Sequence, residues 1–246
     1  MIHFDVFNGD ADGLCALTQL RNAEPREAEL ITGVKRDINL LAEVEASAGA
    51  KITVLDVSLD KNRADLERVL AAGAEVFYCD HHFAGDIPVN DRLQTVINTA
   101  PDVCTSILVN EHLGGAFREW AVVGAFGDNL QDSARRIARP LALDEARMQQ
   151  LENFGIYINY NGYGSKLADL HFEPADLYRL ISPYASPFDF MADGRVHFDK
   201  LEQGYQQDMA TAESLAPEFR DSAVAVFMMP DEAWARRVSG VYSNDL

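Results

Sequence analysis

The stretch Gly73-Ala74-Glu75-Val76-Phe77-Tyr78-Cys79-Asp80-His81-His82 decides how this chain is read. A glycine opens it, β-branched and aromatic residues fill it, and an acid with two histidines closes it. Residues 74–79 read as a short buried strand whose end carries the polar groups. Working back, 61–72 is helical, 51–57 is a strand containing Leu55-Asp56-Val57, and 39–48 is an amphipathic helix. Residues 29–34 are another strand and 11–22 a helix. The first strand, 2–7, runs into the turn Asn8-Gly9-Asp10. Working forward, 94–98 is a further strand. Strands alternating with helices of about 10–15 residues indicate βαβ units. The expected class is therefore α/β, a doubly wound parallel sheet of about five strands. Ligands in such sheets gather at the carboxyl ends of the strands.

Past the sheet, 104–137 turns helical, with Ile107, Leu108, Phe117, Trp120, Ala121, Val122 and Val123 at the apolar positions, and 143–157 continues as helix. Residues 159–164 read as a polar, Gly-rich loop and 183–187 as a linker. A long polar helix is expected over 196–215 and a strand-like run over 223–228.

The 246 residues suffice for one large domain, or a medium domain with a smaller companion. With 48% hydrophobic and 24% charged residues the composition is that of an ordinary globular protein. No signal peptide or membrane-length apolar run is present, and Cys15, Cys79 and Cys104 are too few and scattered for a disulfide framework. These features lead to an expectation of a cytoplasmic protein with no membrane partner. The net charge is -18, with 39 acidic residues against 21 basic ones. No basic stripe is available to displace counterions from long double-stranded nucleic acid, which is not an expected partner. Solubility is one reading of the acidity. The other is that acid is concentrated in a pocket where metals neutralise it, which favours a small phosphorylated substrate or short oligonucleotide.

Acidic groups fall where strands or helices end: Asp10 and Asp12 in Asn8-Gly9-Asp10-Ala11-Asp12-Gly13, Asp56 at the third strand, Asp80-His81-His82 at the fourth, and Asp128 in Gly127-Asp128-Asn129. Each alone has a plain alternative: aspartates form turns and cap helices, and Asp12 can simply cap its own. Their joint placement at successive strand ends is what carries weight. Crowded carboxylates repel one another and need cations or raised pKa values. Manganese, or alternatively magnesium, fits carboxylate and imidazole ligands. Two such ions about 3.5–4 Å apart can clamp a phosphoryl group and lower the pKa of a bridging water. A histidine left free of metal can contact the phosphate or transfer a proton.

These four motifs, in this order, resemble those of the DHH phosphoesterase superfamily. Its members include RecJ-type exonucleases, oligoribonucleases that also remove phosphate from phosphoadenosine phosphate, cyclic-dinucleotide phosphodiesterases, exopolyphosphatases and manganese pyrophosphatases. The resemblance covers roughly 1–129. It implies a metal-dependent phosphoesterase holding up to two manganese ions. Asp56 would bridge them, Asp10 would belong to the first, and Asp12, His81 and Asp128 would hold the second. Asp80 would orient His81, and His82 would face the phosphate as the catalytic group. Asn8 stands where many relatives have His or Asp, and an amide carbonyl is a weaker ligand. The alternative activities are phosphoanhydride hydrolysis, as in a pyrophosphatase or exopolyphosphatase, and metal or nucleotide binding without turnover.

The resemblance also implies a catalytic domain over 1–183, a linker and connecting helix over 184–216, and over 217–246 the start of a short or truncated accessory domain. Relatives carry a Gly-Gly-His motif in that domain, and no such sequence occurs here. An oligomer is compatible with these features. Three residues are further candidates for substrate contact. His112 either helps position a phosphate or sits on a helix surface, Asn161 either lines the cleft with Asn159 or belongs to a solvated turn, and Ser106, beside Thr105, either binds an anion at a helix start or caps that helix. Lys35 and Arg36, after the second strand, either meet a phosphate or are merely exposed.

Overall fold

Runs rich in valine, isoleucine, leucine and aromatics form the central sheet of the computed structural model, which describes residues 2–245. Its strands are β1 (His3–Phe7), β2 (Glu29–Ile31), β3 (Lys51–Leu55), β4 (Glu75–Asp80) and β5 (Leu93–Ile97), all parallel and in the order β2-β1-β3-β4-β5. The doubly wound five-stranded sheet is as the sequence led one to expect. After β1 the chain moves to one side to make β2, then crosses back to make β3. The switch point thus lies between β1 and β3, where open α/β sheets place their ligand crevice.

Register fixes what stands in that crevice. Phe7 pairs with Leu55 and Leu55 with Cys79, so the next residues along, Asn8, Asp56 and Asp80, stand side by side at this end of the sheet, Asp80 as the last residue of β4. Alternation then divides the core. Phe4 and Val6 of β1, with Ile52 and Val54 of β3, face α2 (Leu59–Ala71) and a 3₁₀ turn, Leu40–Glu43. Phe7 and Leu55 face the other layer, built from α1 (Ala11–Ala23), α3 (Thr105–His112), α4 (Arg118–Gly127), α5 (Gln131–Ala138) and α6 (Glu145–Asn161). Within that layer α4 is buried from Trp120 to Gly127, between α1 and α6. Glycines permit the close approach. A Cβ on Gly127 would lie 2.3 Å from Ala11 Cβ, and one on Gly155 would lie 2.4 Å from the Val123 carbonyl oxygen. This crossing carries Asp128 to the mouth of the crevice.

Three local expectations, over 39–48, 159–164 and 223–228, differ from the structure. Residues 39–48 form only the 3₁₀ turn, although Leu40, Leu41 and Val44 are buried as their spacing implied. Side chains of α2 satisfy the backbone that a helix would have satisfied internally. Asn62 Oδ1 accepts from Leu41 N at 3.2 Å, and Arg68 donates to the Leu41 and Val44 carbonyls at 3.0 and 2.9 Å. The expected loop 159–164 is helical through Asn161, because tertiary partners take up its polar groups. The expected linker 183–187 is a short connector between α7 (Pro174–Ile181) and α8 (Pro187–Asp193), and the Tyr184 carbonyl accepts from Trp120 Nε1 at 3.0 Å. Residues 184–216 hold α8 and α9 (Arg195–Glu213), whose Phe190, Phe198 and Leu201 are buried in the same core as α4 and α6.

The strand-like run 223–228 is reduced to β7 (Ala225–Val226), which pairs with β6 (Phe219–Arg220) as a small exposed hairpin. Then α10 (Ala233–Asp245) lies on α9, with Met209, Ala212, Val238 and Tyr242 buried between them. Among the described residues no helix is long and apolar enough to cross a membrane.

Candidate metal centre

Three of the residues expected to be ligands, Asp12, Asp56 and Asp128, converge on the imidazole of a fourth, His81. Its Nε2 lies 3.4 Å from Asp56 Oδ1, 3.9 Å from Asp12 Oδ2 and 3.9 Å from Asp128 Oδ2. Each ligand is set by a different element. Asp12 sits in the first turn of α1, and the start of α3 fixes its carboxylate: Thr105 N and Ser106 N donate to Oδ2 and Oδ1, both at 2.7 Å. The Ser106 hydroxyl also donates to Asp12 Oδ1. The anion at this helix N-terminus is therefore the chain's own. Ser106 is fully buried, with its hydroxyl turned to Asp12.

Asp56 follows β3 with φ +58°, a left-handed conformation that aspartate tolerates and β-branched residues do not. Its Oδ1 accepts from Thr105 Oγ1 at 3.1 Å, a positioning contact the sequence did not reveal. Asp128 caps α4 and remains partly open to solvent.

Electrostatics explains why this arrangement calls for a cation. Burial, then the charges of Asp12 and Asp10, push the Asp56 carboxyl well above the usual range. Burial and the same two neighbours push Asp128 up to about 7. Burial pulls His81 down, but the hydrogen bond with Asp56 and the charges of Asp12, Asp56 and Asp128 outweigh it and raise its pKa to about 10. Among the described residues, Asp12, Asp56 and Asp128 form ion pairs only with the imidazoles of His81 and His82.

Ligand atoms of Asp12, His81 and Asp128 all lie within 4.8 Å of one another, as do those of Asp56, His81 and His82. Asp80 Oδ2 is buried with no hydrogen-bond partner. A divalent cation fits both the mixed carboxylate and imidazole donor set and the uncompensated charge.

Other expected residues are placed differently. Asp80 Oδ1 lies 2.7 Å from His82 Nδ1, so Asp80 orients His82 and not His81. The two imidazoles lie against each other with centroids 4.3 Å apart, and His82 is the more exposed. Asn161 is fully buried and exchanges two hydrogen bonds, both 2.9 Å, with the backbone of Phe172. His112 is not brought to the cluster. It packs on Phe77 at 5.3 Å and lines a depression of about 400 Å³ with Lys51, Glu75 and Leu93, which begin or open their strands at the opposite end of the sheet. Asn8 and Asp10 stand beside the cluster but engage Lys35. Asp10 Oδ2 is 2.6 Å from Lys35 Nζ, and Asn8 Nδ2 donates to the Lys35 carbonyl at 3.1 Å. Burial opposes ionisation of Asp10, yet the Lys35 ammonium holds its carboxyl below the usual range.

No protein-family model and no curated protein matches this sequence. Solved structures do match. Exonuclease RecJ bound to manganese aligns with a TM-score of 0.56 at 18% identity, over 85% of this chain and 63% of that one. RecJ from Thermus thermophilus in complex with Mn2+ aligns with a TM-score of 0.50 at 19% identity, over 87% of this chain and 37% of that one. The chain thus spans less than two thirds of either relative's length, and what it shares with these manganese-bound exonucleases is their α/β fold.

Proposed function

We propose that this chain is a manganese-dependent phosphoesterase that hydrolyses phosphodiester or phosphomonoester bonds of small nucleotides or short oligonucleotides. The observation that carries this reading is the convergence of Asp12, Asp56 and Asp128 on His81 at the switch point of the sheet, with no Arg among them. The fold shared with RecJ supports it, since both neighbours are RecJ structures bound to manganese and one is described as an exonuclease. Asp12, Asp56, His81 and Asp128 are the residues that would hold the cation. When bound, a divalent cation supplies charge that polarises a phosphoryl group and lowers the pKa of water.

The chain's own groups supply the rest. Asp80 accepts from Nδ1–H of His82 and orients the ring, so that its imidazolium form would present Nε2–H to the leaving oxygen and give up that proton. Thr105 and Ser106 keep Asp56 and Asp12 from turning away from the crevice. Mutual repulsion favours a cation here more than any single contact does.

The test is hydrolysis by purified protein with manganese, across dinucleotides, phosphoadenosine phosphate, cyclic dinucleotides and pyrophosphate. Ester cleavage by the wild type, abolished in Asp56→Ala plus Asp80→Ala, is expected. Unchanged cleavage in that double variant would refute the assignment. Cleavage of pyrophosphate alone would move the substrate class to phosphoanhydrides.

A further inference from the structure

Asp10 closes the turn after β1 yet belongs to neither group of ligand atoms gathered around His81. Both of its oxygens have other partners, although its carboxyl also lies within hydrogen-bonding reach of Asp56. Oδ1 accepts from Asp12 N and Gly13 N at 3.0 and 3.2 Å, as the cap of α1, and Oδ2 is paired with Lys35 Nζ at 2.6 Å. Lys35 is itself held at three points. Its N–H donates to the Gly162 carbonyl at 2.9 Å, its carbonyl accepts from Asn8 Nδ2 at 3.1 Å, and its ammonium donates to Asn159 Oδ1 at 2.8 Å. Asn8 uses its remaining polar atom to accept from Asp10 N at 3.2 Å. The residues expected to hold a first ion are thus tied to a lysine and to each other, and they do not fit a second divalent cation.

We infer that Lys35 Nζ is the resident cation of the Asp10 half of the site, so that the chain takes one divalent ion, at Asp12, Asp56, His81 and Asp128. This rests on the metal reading above and changes its stoichiometry. A divalent ion at Asp10 would have to displace an ammonium already anchored by Asn159 and by the backbone around it. Beyond Asp10 and a share of Asp56 it would gain only a neutral amide from Asn8, a poorer ligand than a carboxylate. An ammonium has three N–H donors, and Asp10 and Asn159 use two of them. The third is available to a phosphate oxygen arriving in the crevice. Lys35 would then do for the substrate's charge what a second metal does elsewhere, with no metal to lose.

Calorimetric titration of metal-stripped protein with manganese, read together with the electron paramagnetic resonance spectrum, tests this. One ion per chain with an uncoupled manganese signal is expected. Asp10→Asn should change the affinity by less than about 3-fold, whereas Asp128→Asn should weaken it by about 10-fold or more. Asn8→Asp with Lys35→Met, which removes the ammonium and supplies a carboxylate, should add a second ion and a spin-coupled signal. Two coupled ions in the wild type would overturn the inference while leaving the metal reading intact. So would a single ion released by Asp10→Asn but kept by Asp128→Asn, or a double variant that folds and still binds one. No manganese bound to the wild type at all would overturn the metal reading and this inference with it.

Discussion

At the seam between α9 and α10, Asp208 is buried with Arg237 Nη2 at 2.7 Å, and it also accepts from the Tyr160 hydroxyl at 2.7 Å. At the carboxyl ends of β1, β3 and β4, Asp12 and Asp56 are buried at least as deeply, yet they face Asp128 and an imidazole. The seam shows how this protein buries an acid for structural purposes. Against burial, the His171 imidazole at 3.4 Å, the Arg237 guanidinium and the Tyr160 hydroxyl together hold the Asp208 carboxyl down at about 2, and it is the guanidinium that the cluster lacks. Asp5 follows the same rule, with Arg21 Nε at 2.8 Å. The cluster departs from it, so its acids raise the energy of the metal-free fold. Among the described residues these crevice acids have no Arg or Lys partner, which is what the proposed metal reading explains.

The contrast is open to test from both sides. In the cluster, His82→Ala should lower turnover about 10²–10⁴-fold, the range of a lost general acid, and leave the melting temperature nearly unchanged because the ring is half exposed. A fall in stability without a fall in turnover would give His82 the seam's role. In the seam, Asp208→Asn should lower unfolding free energy by about 2 kcal/mol, since it leaves Arg237 without its charged partner. Turnover of the folded fraction should be unchanged; denaturant titration and rate measurement at matched folded concentration check both.

The smaller effects have the opposite sign in the two places. Asp56→Asn keeps a residue that tolerates φ +58° and removes a repelled charge. It should stabilise the metal-free protein by about 1 kcal/mol while abolishing manganese-dependent hydrolysis. Asp208, depressed to about 2 from 3.8, contributes stability fully present above about pH 4 and lost as pH falls toward 2. Asp128 is raised to about 7, so the folded state binds the extra proton between about pH 4 and 7 and stability falls as pH rises through that window. His81, raised to about 10, adds a loss in the same direction above about pH 6.5. Melting temperatures of metal-stripped protein should therefore fall from pH 5 to 8. The slope should flatten in Asp128→Asn and remain in Asp208→Asn.

Much of this was legible in the sequence. The strand ends could be read because apolar alternation fixes where each strand stops, and a parallel register then sets Asp56 and Asp80 side by side. Asp128 was legible as the end of an apolar helix. The Lys35–Asp10 pair was not, because it depends on a bend between β2 and the 3₁₀ turn and on the Gly162 carbonyl that fixes the lysine backbone. Lys35 could be placed near a strand end, but not paired. Of the two readings of His112, the structure shows the helix-surface one, away from Thr105 and the cluster. Seven residues of helix at about 1.5 Å each carry it about 10 Å away. Asn159 and Asn161 looked like turn formers, and only the packed structure shows them spoken for by Lys35 and Phe172.

The central claim, that the cluster acids paired only with imidazoles await a divalent cation, is tested most directly by thermal unfolding of metal-stripped protein with and without manganese, for wild type and His81→Ala. Binding at about 100 times Kd should stabilise the wild type by about 2.7 kcal/mol, a rise of about 5–10 °C for a chain of this size. The rise should vanish in His81→Ala. A wild type that melts at the same temperature with and without manganese, or a His81→Ala variant that gains as much as the wild type, would contradict it.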